Sequence, residues 1–472
     1  MSNTQLSLSL LSLNQSVNST FTAEQLFTPL AHLPWAFWLD SCQSDHPDCQ
    51  IDIIVWQPSI TLKTQNKKTV LQFFNPQGQL IKQQQSTEDP LLLLKQTQDS
   101  FFSQFDLPDT ELPFVGGALG YFSYDLGQYF EKLPNIATRD INLPEMAIGI
   151  YQQAIIVDHK TKQTWLLCPE QQRNTLETWL QQQLTPTQQP QHFSITSTWQ
   201  ANMDKQAYQQ KFSQVQDYLL SGDCYQINLA QRFHAHYQGN EFTAYLALRK
   251  ANNAPFSAFL RFEDSAILSI SPERFLQVGN NNIVQSKPIK GTRPRSLNAE
   301  EDRQYAVALK NASKDQAENL MIVDLLRNDI SKTCIAGSVK VPKLFAIESF
   351  PAVHHLVSTV EGKLANEYDA TDLLRGAFPG GSITGAPKIR AMEIIEELEP
   401  HQRSIYCGSI GYISACGKMD TNIAIRTLVC QQGNIYCWAG GGLVADSQID
   451  SEYQETFDKV NKILPILSAN NS

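Results

Sequence analysis

The chain has 472 residues, of which 42% are hydrophobic and 18% charged, so it can bury a large core as one complex unit or as two domains. Its 37 basic and 47 acidic side chains give a formal net charge of -10, which argues against general binding of nucleic acid or anionic membranes but leaves room for a local basic pocket. The first charged residue is Glu24, the nine cysteines form no C-x-x-C pair, and no apolar run could span a membrane, so we expect a cytoplasmic protein with reduced thiols.

The first part of the chain has the pattern of an α+β region. Short β-like runs occur at Ile51 to Trp56 and at Ile155 to Val157. The stretch Gln181 to Gln191 combines six glutamines with two prolines and carries no charge. Such a stretch is typical of a linker, so we predict an N-terminal region over residues 1–191 and a second domain over residues 192–468.

The second part also mixes strands and helices. Ala266 to Ser271 is a predicted strand. Apolar residues recur with helical spacing over Lys314 to Ile330 and over Pro387 to Leu398. The segment Ser451 to Leu464 predicts a C-terminal helix that Pro465 stops.

Acidic side chains stand out on two of these helices. Glu318 shares a helix face with Ile322 and Leu325, and a carboxylate on an apolar face is costly unless something pairs with it. Glu452 and Glu455, at i and i+3, share a face of the C-terminal helix. Three such glutamates without a His or Cys cluster suit a hard cation, best of all Mg²⁺, and the alternative is a paired or solvated charge cluster.

Two glycine-rich segments suggest backbone sites for a ligand. Gly380 to Leu398 places a glycine-rich turn before a helix with Pro387 in its first turn, an arrangement that favours anion binding. It is not a nucleotide P-loop, because no G-K-[ST] follows the glycines. A second glycine turn, Ala439 to Asp446, permits close approach of a ligand or of another strand.

A short basic segment runs from Lys287 to Arg295 and contains two prolines and a glycine. The ordinary interpretation is a solvated loop. The prolines, however, fix the backbone around Lys290, and a lysine becomes a nucleophile when desolvation or neighbouring cations lower its pKa. Lys287, Arg293 and Arg295 are candidates for those cations.

Taken in order, these segments resemble a known family. The motifs are SPERF (271–275), PIKGTRPR (288–295), AENLMIVDLLRND (317–329), VHHLVS (353–358), GGSITGAPK (380–388), GYIS (411–414), IAIRT (423–427) and GGGLVADSQIDSEYQET (440–456). Each is weak alone, but the ordered set resembles the chorismate-utilising enzymes, and among them those that aminate chorismate at C4. The resemblance implies an α+β fold, a large two-part α/β sandwich, with the active site in a cleft of the chorismate-binding part.

The resemblance also implies roles for particular residues. Glu318 and Glu455 match the positions that hold magnesium, with Glu452 as a further or water-mediated ligand, and the metal holds the ring carboxylate of chorismate. Glu273 matches the general acid that protonates the departing C4 hydroxyl, and His355 matches a histidine near that hydroxyl. The residues that match the shell around the two carboxylates of chorismate are Thr292, Gly385, Tyr412, Arg426, Gly440, Gly442 with the amide between them, and Lys459.

Two positions distinguish between reactions within the family. Relatives that add water have a lysine base where this chain has Gln226, and neutral ammonia needs no such base, so Gln226 indicates amination. Anthranilate synthases, which aminate C2, typically have alanine where this chain has Lys290. The resemblance implies that the Lys290 amine attacks C2 as the C4 hydroxyl leaves, after which ammonia enters at C4 and expels the lysine.

The partners follow from the same resemblance. No glutaminase signature is present, so we expect a separate glutamine amidotransferase subunit to form a heterodimer with this chain and to supply ammonia. Some relatives bind tryptophan near a motif that Trp38 to Ser41 approximates, but the next segment offers no obvious aromatic wall, which leaves bound tryptophan open. The alternatives are the large subunit of anthranilate synthase and a non-catalytic scaffold for the amidotransferase, although a scaffold should have lost the magnesium glutamates or Glu273.

Overall fold

A computed structural model describes residues 6–16, 21–43, 48, 50–183, 192–350 and 353–469. Its strands are β1 Leu6–Ser12, β2 Phe37–Asp40, β3 Ile51–Val55, β4 Ile60–Gln65, β5 Lys68–Phe74, β6 Leu80–Ser86, β7 Phe105–Asp106, β8 Gly117–Phe122, β9 Met146–Tyr151, β10 Ala154–Asp158, β11 Gln163–Pro169, β12 Phe193–Ile195, β13 Gln200–Ala201, β14 Gln226–Gly239, β15 Phe256–Arg261, β16 Ser265–Ser271, β17 Arg274–Val278, β18 Ile283–Ser286, β19 Ile289–Pro294, β20 Lys340–Ser349, β21 Val353–Lys363, β22 Gly385–Ala386, β23 Ser409–Ser414, β24 Met419–Asn422, β25 Thr427–Gln431 and β26 Asn434–Leu443. Its α-helices are α1 Leu13–Ser16, α2 Ala23–Phe27, α3 Pro90–Phe102, α4 Arg173–Gln183, α5 Lys205–Ser221, α6 Glu241–Asn252, α7 Ala299–Lys310, α8 Ser313–Ser331, α9 Ala370–Ala377, α10 Lys388–Leu398, α11 Ile449–Asp458 and α12 Leu464–Ala469.

The strands form two large sheets. The first runs β12-β14-β26-β25-β16-β15-β2-β3-β10-β11-β1-β7, and β13 and β22 also pair with β14. The second runs β19-β21-β18-β17-β24-β23-β8-β9-β4-β5-β6, and β20 also pairs with β21. Helices and large sheets together confirm the predicted α+β class.

Both sheets combine strands from the two predicted domains. In the first, β2 pairs with β15, and in the second, β8 pairs with β23. The N-terminal strands are therefore built into the same sheets as the later ones. Of the predicted linker, residues 181–183 end α4 and residues 184–191 lie outside the described part of the chain, so the boundary near residue 191 stays a prediction.

Most elements predicted from periodicity are present, with one correction at the C-terminus. The strands β3, β10 and β16 and the helices α8 and α10 lie where the patterns placed them. The single helix predicted over residues 451–464 is wrong, because α11 ends at Asp458 and α12 begins at Leu464. Pro465 lies in the first turn of α12, where a missing backbone N–H costs nothing, so it starts a helix instead of stopping one.

Two apolar clusters fill the interior. One includes Leu119, Ile148 and Ile322, and the other is built around Trp38 and Phe259. The eight cysteines in the described part are free thiols, as the sequence predicts. No helix in the described ranges is long and apolar enough to cross a membrane.

Buried ion pairing fixes α8 relative to α10. The Lys388 ammonium donates to the Asp329 carboxylate and to the carbonyl of Ala377, and its side chain is largely buried. Asp329 ends the LLRND motif on α8, and Lys388 begins α10 after the GAP turn. A buried carboxylate without its cation would be costly, so this pair links two of the sequence motifs through one contact.

Candidate active site

Lys290 lies on β19 and reaches a carboxylate from a neighbouring helix. Its Nζ lies 3.7 Å from Oε2 of Glu318 on α8, and only 14% of the Lys290 side chain is exposed. A methyl group at Gly442 would come within 3.3 Å of this Nζ and would clash with the amide nitrogen of Gln226. Lys290 and Gln226 therefore border one small space beside β26, and the glycine at 442 keeps it open.

The side-chain amide of Gln226 is unusual in this space. Gln226 is fully buried, and neither polar atom of its amide has a hydrogen-bond partner among the described residues. Buried amides are almost always paired, because an unmade hydrogen bond costs about 1–3 kcal/mol. An orphaned amide beside Lys290 indicates that a polar ligand completes the site.

A bulge directs Lys290 into the site. The register between β19 and β21 shifts between Lys290 and Thr292, and Gly291 between them has φ of 75°. This left-handed conformation favours glycine, and a bulge re-aims the side chains beside it. The bulge therefore explains why the KGT motif has a glycine at position 291.

Glu273 is a buried carboxylate with the properties of a general acid. It is 5% exposed and accepts hydrogen bonds from the Ser382 hydroxyl at 2.8 Å and from the backbone N–H of Ile289. Burial raises its pKa to about 7, although the Ser382 hydrogen bond and the Lys290 charge act in the opposite direction. A carboxyl group with this pKa holds a proton near neutral pH and can give it to a leaving group.

Arg426 lies near this carboxyl, and His355 lies near Arg426. The Nδ1 of His355 is 2.9 Å from the hydroxyl of Thr292. Burial, followed by the charge of Arg426, lowers the His355 pKa to about 3, so the imidazole is neutral. The guanidinium of Arg426 has no hydrogen bond or ion pair within the described residues, and burial lowers its pKa while Glu273 raises it. An unpaired, partly buried guanidinium favours a carboxylate ligand.

Glu452 and Glu455 converge at Gly441. A methyl group at Gly441 would lie 3.2 Å from Oε2 of Glu452 and 3.4 Å from Oε1 of Glu455. The Ser447 hydroxyl donates to Glu452 at 2.6 Å, and burial and the neighbouring Glu455 raise the Glu452 pKa. Burial opposes ionisation of Glu455, but Lys459 at 2.6 Å lowers its pKa. Two carboxylates of this kind form the oxygen donor set that Mg²⁺ prefers.

Each of the three predicted metal ligands faces a lysine. The pairs are Glu318 with Lys290 at 3.7 Å, Glu452 with Lys314 at 3.9 Å, and Glu455 with Lys459 at 2.6 Å. In the part of the chain that the structure describes, no three His, Cys, Asp or Glu side chains lie close enough together to hold an ion. Because Mg²⁺ commonly takes one or two carboxylates and completes its shell with water and substrate, the convergent pair fits that ion, and the role of Glu318 stays a prediction.

The glycines predicted to contact a ligand lie in strands β22 and β26, which both pair with β14, the strand of Gln226. Gly440, Gly441 and Gly442 belong to β26 and pair with β14, so the turn predicted at these glycines is wrong, whereas their predicted close approach to another strand is confirmed. Gly385 pairs with Ile227 of β14, and a side chain at Gly385 would clash with the Gln226 carbonyl. Lys459 donates to the carbonyl of Gly440 at 2.7 Å.

Residues 37–465 match a family model described as chorismate binding enzyme. The chain belongs to the chorismate-binding enzyme family. The match runs from β2 to the beginning of α12 and covers every strand of the two sheets except β1.

This chorismate-binding enzyme is similar in sequence to proteins named aminodeoxychorismate synthase and anthranilate synthase. It is 56% identical to aminodeoxychorismate synthase component 1 of Escherichia coli strain K12 over 446 residues, which cover 94% of this chain and 95% of the relative. It is 37% identical to anthranilate synthase component 1 of Thermus thermophilus, covering 76% of this chain and 78% of that one. The crystal structure of anthranilate synthase component I from Streptococcus pneumoniae matches with a TM-score of 0.77 at 33% identity and covers 88% of this chain and 92% of that one. These matches confirm the predicted fold of the family.

Tyr412 of this chorismate-binding enzyme makes no side-chain hydrogen bond or ring contact with the other predicted substrate ligands among the described residues, so its role stays a prediction. The Tyr412 ring packs edge-on against Phe114, with 5.6 Å between the ring centroids. It lines a pocket that we call the second pocket, the candidate active site being the first. Side chains of a strand alternate between its faces, and the IGYIS spacing gave no indication of which face Tyr412 takes. Gly385 lies beside Gln226, Arg426 lies near Glu273, and Lys459 joins Gly440 to Glu455. Thr292 contacts His355, and the contacts of all these residues with a substrate stay predictions.

The second pocket has a volume of about 230 Å³. Leu39 and Ser41 from the WLDS segment line it together with Phe256, Tyr412 and Asp48. The two aromatic rings come from β15 and β23, far from WLDS in sequence. The aromatic wall that the neighbouring segment lacks is therefore supplied by the other part of the chain.

Proposed function

We propose that this chain aminates chorismate at C4 with ammonia and releases 4-amino-4-deoxychorismate, a precursor of para-aminobenzoate and folate. The observation that supports this most directly is Lys290 beside the unpaired Gln226 amide, in a site that also contains the buried carboxyl of Glu273. The name of the Escherichia coli relative agrees with it. A site with a nucleophilic lysine, a proton donor and no lysine base for water suits amination better than hydroxylation.

The first displacement uses Lys290 and Glu273. The Lys290 amine forms a bond to C2, the ring double bond shifts, and the C4–O bond breaks. Glu273 gives its proton to the departing oxygen, which leaves as water. The new C2–N bond carries an extra proton, which the ionised Glu273 takes back.

The second displacement returns the enzyme to its starting state. Ammonia attacks C4, the double bond shifts back, and the C2–N bond to Lys290 breaks as Glu273 protonates the departing lysine nitrogen. The ionised Glu273 then takes a proton from the new C4 ammonium group. The Gln226 amide supplies one donor group and one acceptor group with which ammonia can be held. The sum is the exchange of hydroxyl for amine at C4 with release of water.

Cationic groups hold the two carboxylates of chorismate in this proposal. Arg426 offers an unpaired guanidinium, and Lys459 lies beside the β26 glycines. Glu318, Glu452 and Glu455 are the residues that we expect to hold Mg²⁺. When bound, Mg²⁺ neutralises and orients the ring carboxylate.

Loss of one convergent glutamate should weaken the binding of magnesium. We expect Glu455→Gln to raise the Mg²⁺ concentration for half-maximal activity by about tenfold or more, because a neutral amide is a poorer ligand for a hard cation. Asp450→Asn is the matched control, since Asp450 lies on the same helix and pairs with Lys205 at the surface. Titration of activity with MgCl₂ measures the effect, and equal magnesium curves for Glu455→Gln and the wild type would exclude Glu455 as a ligand.

The proposed activity is tested by separating the products formed from chorismate, Mg²⁺ and ammonium. We expect 4-amino-4-deoxychorismate as the main product. Anthranilate as the main product would instead assign C2 amination. No consumption of chorismate under these conditions would favour a scaffold without activity of its own.

We infer that ammonia is supplied by a separate glutamine amidotransferase subunit. The relatives are named component 1, which implies a partner component for them. In the proposed heterodimer, glutamine should support turnover only after the second subunit is added, whereas ammonium should support it with this chain alone. Turnover of glutamine by the purified chain alone would contradict this inference.

We also propose that the second pocket binds tryptophan. Its volume of about 230 Å³, its aromatic walls and its polar rim suit an aromatic amino acid. We expect tryptophan to bind the wild type and Phe256→Ala to weaken binding about tenfold, since loss of a stacked ring costs about 1 kcal/mol or more. Calorimetry measures this, with Phe73→Ala on β5 as the control. Equal affinity in Phe256→Ala, or no binding to the wild type, would contradict the proposal.

A further inference from the structure

A chain of buried ion pairs begins at the residue that follows Glu273. The guanidinium of Arg274 is 5% exposed and donates two hydrogen bonds to Asp420, at 3.0 and 2.9 Å. A third donor of Arg274 reaches Oδ1 of Asp48 at 2.6 Å. Asp48 lies between β2 and β3, more than two hundred residues earlier in the chain.

The other oxygen of Asp48 binds a cation close to Lys290. Oδ2 accepts from the Lys287 ammonium at 2.7 Å, and Lys287 also pairs with Glu348 at 2.8 Å. Lys287 precedes Lys290 by three residues, with Pro288 restricting the backbone between them. We call the Arg274, Asp48 and Lys287 contacts the Asp48 bridge.

We propose that Asp48 is a positioning residue that sets the placement of Glu273 relative to Lys290 by holding Arg274 and Lys287 together. The inference rests on the proposed function, in which these two side chains act on the same substrate in each displacement. Rates of such reactions depend steeply on geometry, and an error of about 1 Å in placement can cost about a hundredfold.

The character of the bridge suits this role. Charge-assisted hydrogen bonds shorter than 2.8 Å are strong and directional, and salt screens them little when the partners are buried. Burial raises the pKa of Asp48, but Arg274 and Lys287 lower it to about 2, so the carboxylate stays ionised at any working pH. The bridge is therefore present throughout the range in which activity is measured.

Removing the bridge should leave the fold intact. Asp420 still neutralises Arg274, and Glu348 still pairs with Lys287, so neither cation becomes an unpaired buried charge. The Ser286 hydroxyl also donates to the carbonyl of Phe275 at 2.6 Å, which keeps β18, just before Lys287, in contact with β17, which contains Arg274. What is lost is the direct connection between the neighbours of the two reacting side chains.

The test compares Asp48→Asn with the wild type in the ammonium-dependent assay. We expect kcat to fall about tenfold while KM for chorismate changes less than twofold, because the substrate shell is untouched and only alignment is disturbed. Asp140→Asn is the matched control, since it breaks a two-bond pair with Arg232 outside the site. An unchanged kcat, or a rise in KM at constant kcat, would overturn the proposal.

A second variant covers the case in which Asp48→Asn does not fold. Lys287→Gln removes the other end of the bridge and should by itself lower kcat by a similar factor. Where Asp48→Asn does fold, the double variant should be no slower than either single variant. Independent, multiplying losses would overturn the proposal. Failure of the wild type itself to aminate C4 would instead refute the proposed function, so the two failures are distinguishable.

Discussion

Replacing Lys290 by alanine should lower the rate of amination by about a thousandfold or more. The proposed chemistry needs the lysine nitrogen as both nucleophile and leaving group, and nucleophile deletions remove most of the catalytic power of such a site. Binding of chorismate should change little, because Lys290 does not belong to the proposed carboxylate shell. The loss should therefore appear in kcat.

Intact-protein mass spectrometry tests the covalent role of Lys290. With chorismate and Mg²⁺ but no ammonia, the wild type should gain the mass of chorismate less water, and the Lys290→Ala variant should gain none. Lys314→Ala is a matched control, because Lys314 also faces a site glutamate but lies half exposed at 3.9 Å from Glu452. Equal labelling of the Lys290→Ala variant would refute a nucleophilic lysine.

Glu273→Gln should lower kcat by about two to four orders of magnitude, the usual contribution of general acid catalysis. Glutamine is nearly isosteric and can still contact Ser382, so the structural change is small. It cannot donate a proton to the C4 oxygen. Glu263→Gln, which removes a carboxylate paired with Lys63 at the surface, should leave kcat unchanged.

The pH dependence of activity shows which protonation state of Glu273 is the active one. Because burial raises the Glu273 pKa to about 7 and the protonated form is active, this group should make kcat/KM fall about tenfold per pH unit above about pH 7. The residual activity of Glu273→Gln should lack this alkaline limb. A profile for the variant with the same limb as the wild type would assign the limb to another group.

The sequence predicts elements that depend on local pattern. Helix α8 follows from the spacing of Ile322 and Leu325, and the same spacing places Glu318 on the face that meets Lys290. Strand β16 follows from its apolar run. The prediction of a single C-terminal helix was wrong because the apolar periodicity continues across the break at Lys459. Packing, which the sequence pattern does not show, decides where such a helix ends.

Contacts between distant segments could not be predicted in this way. Ser382 lies in a glycine-rich motif whose pattern predicts an anion site, yet its hydroxyl binds Glu273, 109 residues away. Asp48 lies in a polar segment without periodicity and joins Arg274 to Lys287. Such pairings depend on how the two sheets are arranged, which a single sequence does not encode in any local spacing.

The most direct test of the account is the position of nitrogen in the product. The purified chain is incubated with chorismate, Mg²⁺ and ¹⁵N-ammonium, and the product is examined by NMR for one-bond coupling between ¹⁵N and ring carbon. Amination at C4 should give coupling to C4 in a non-aromatic product that retains the enolpyruvyl group. Coupling to C2, with loss of that group and an aromatic ring, would contradict it.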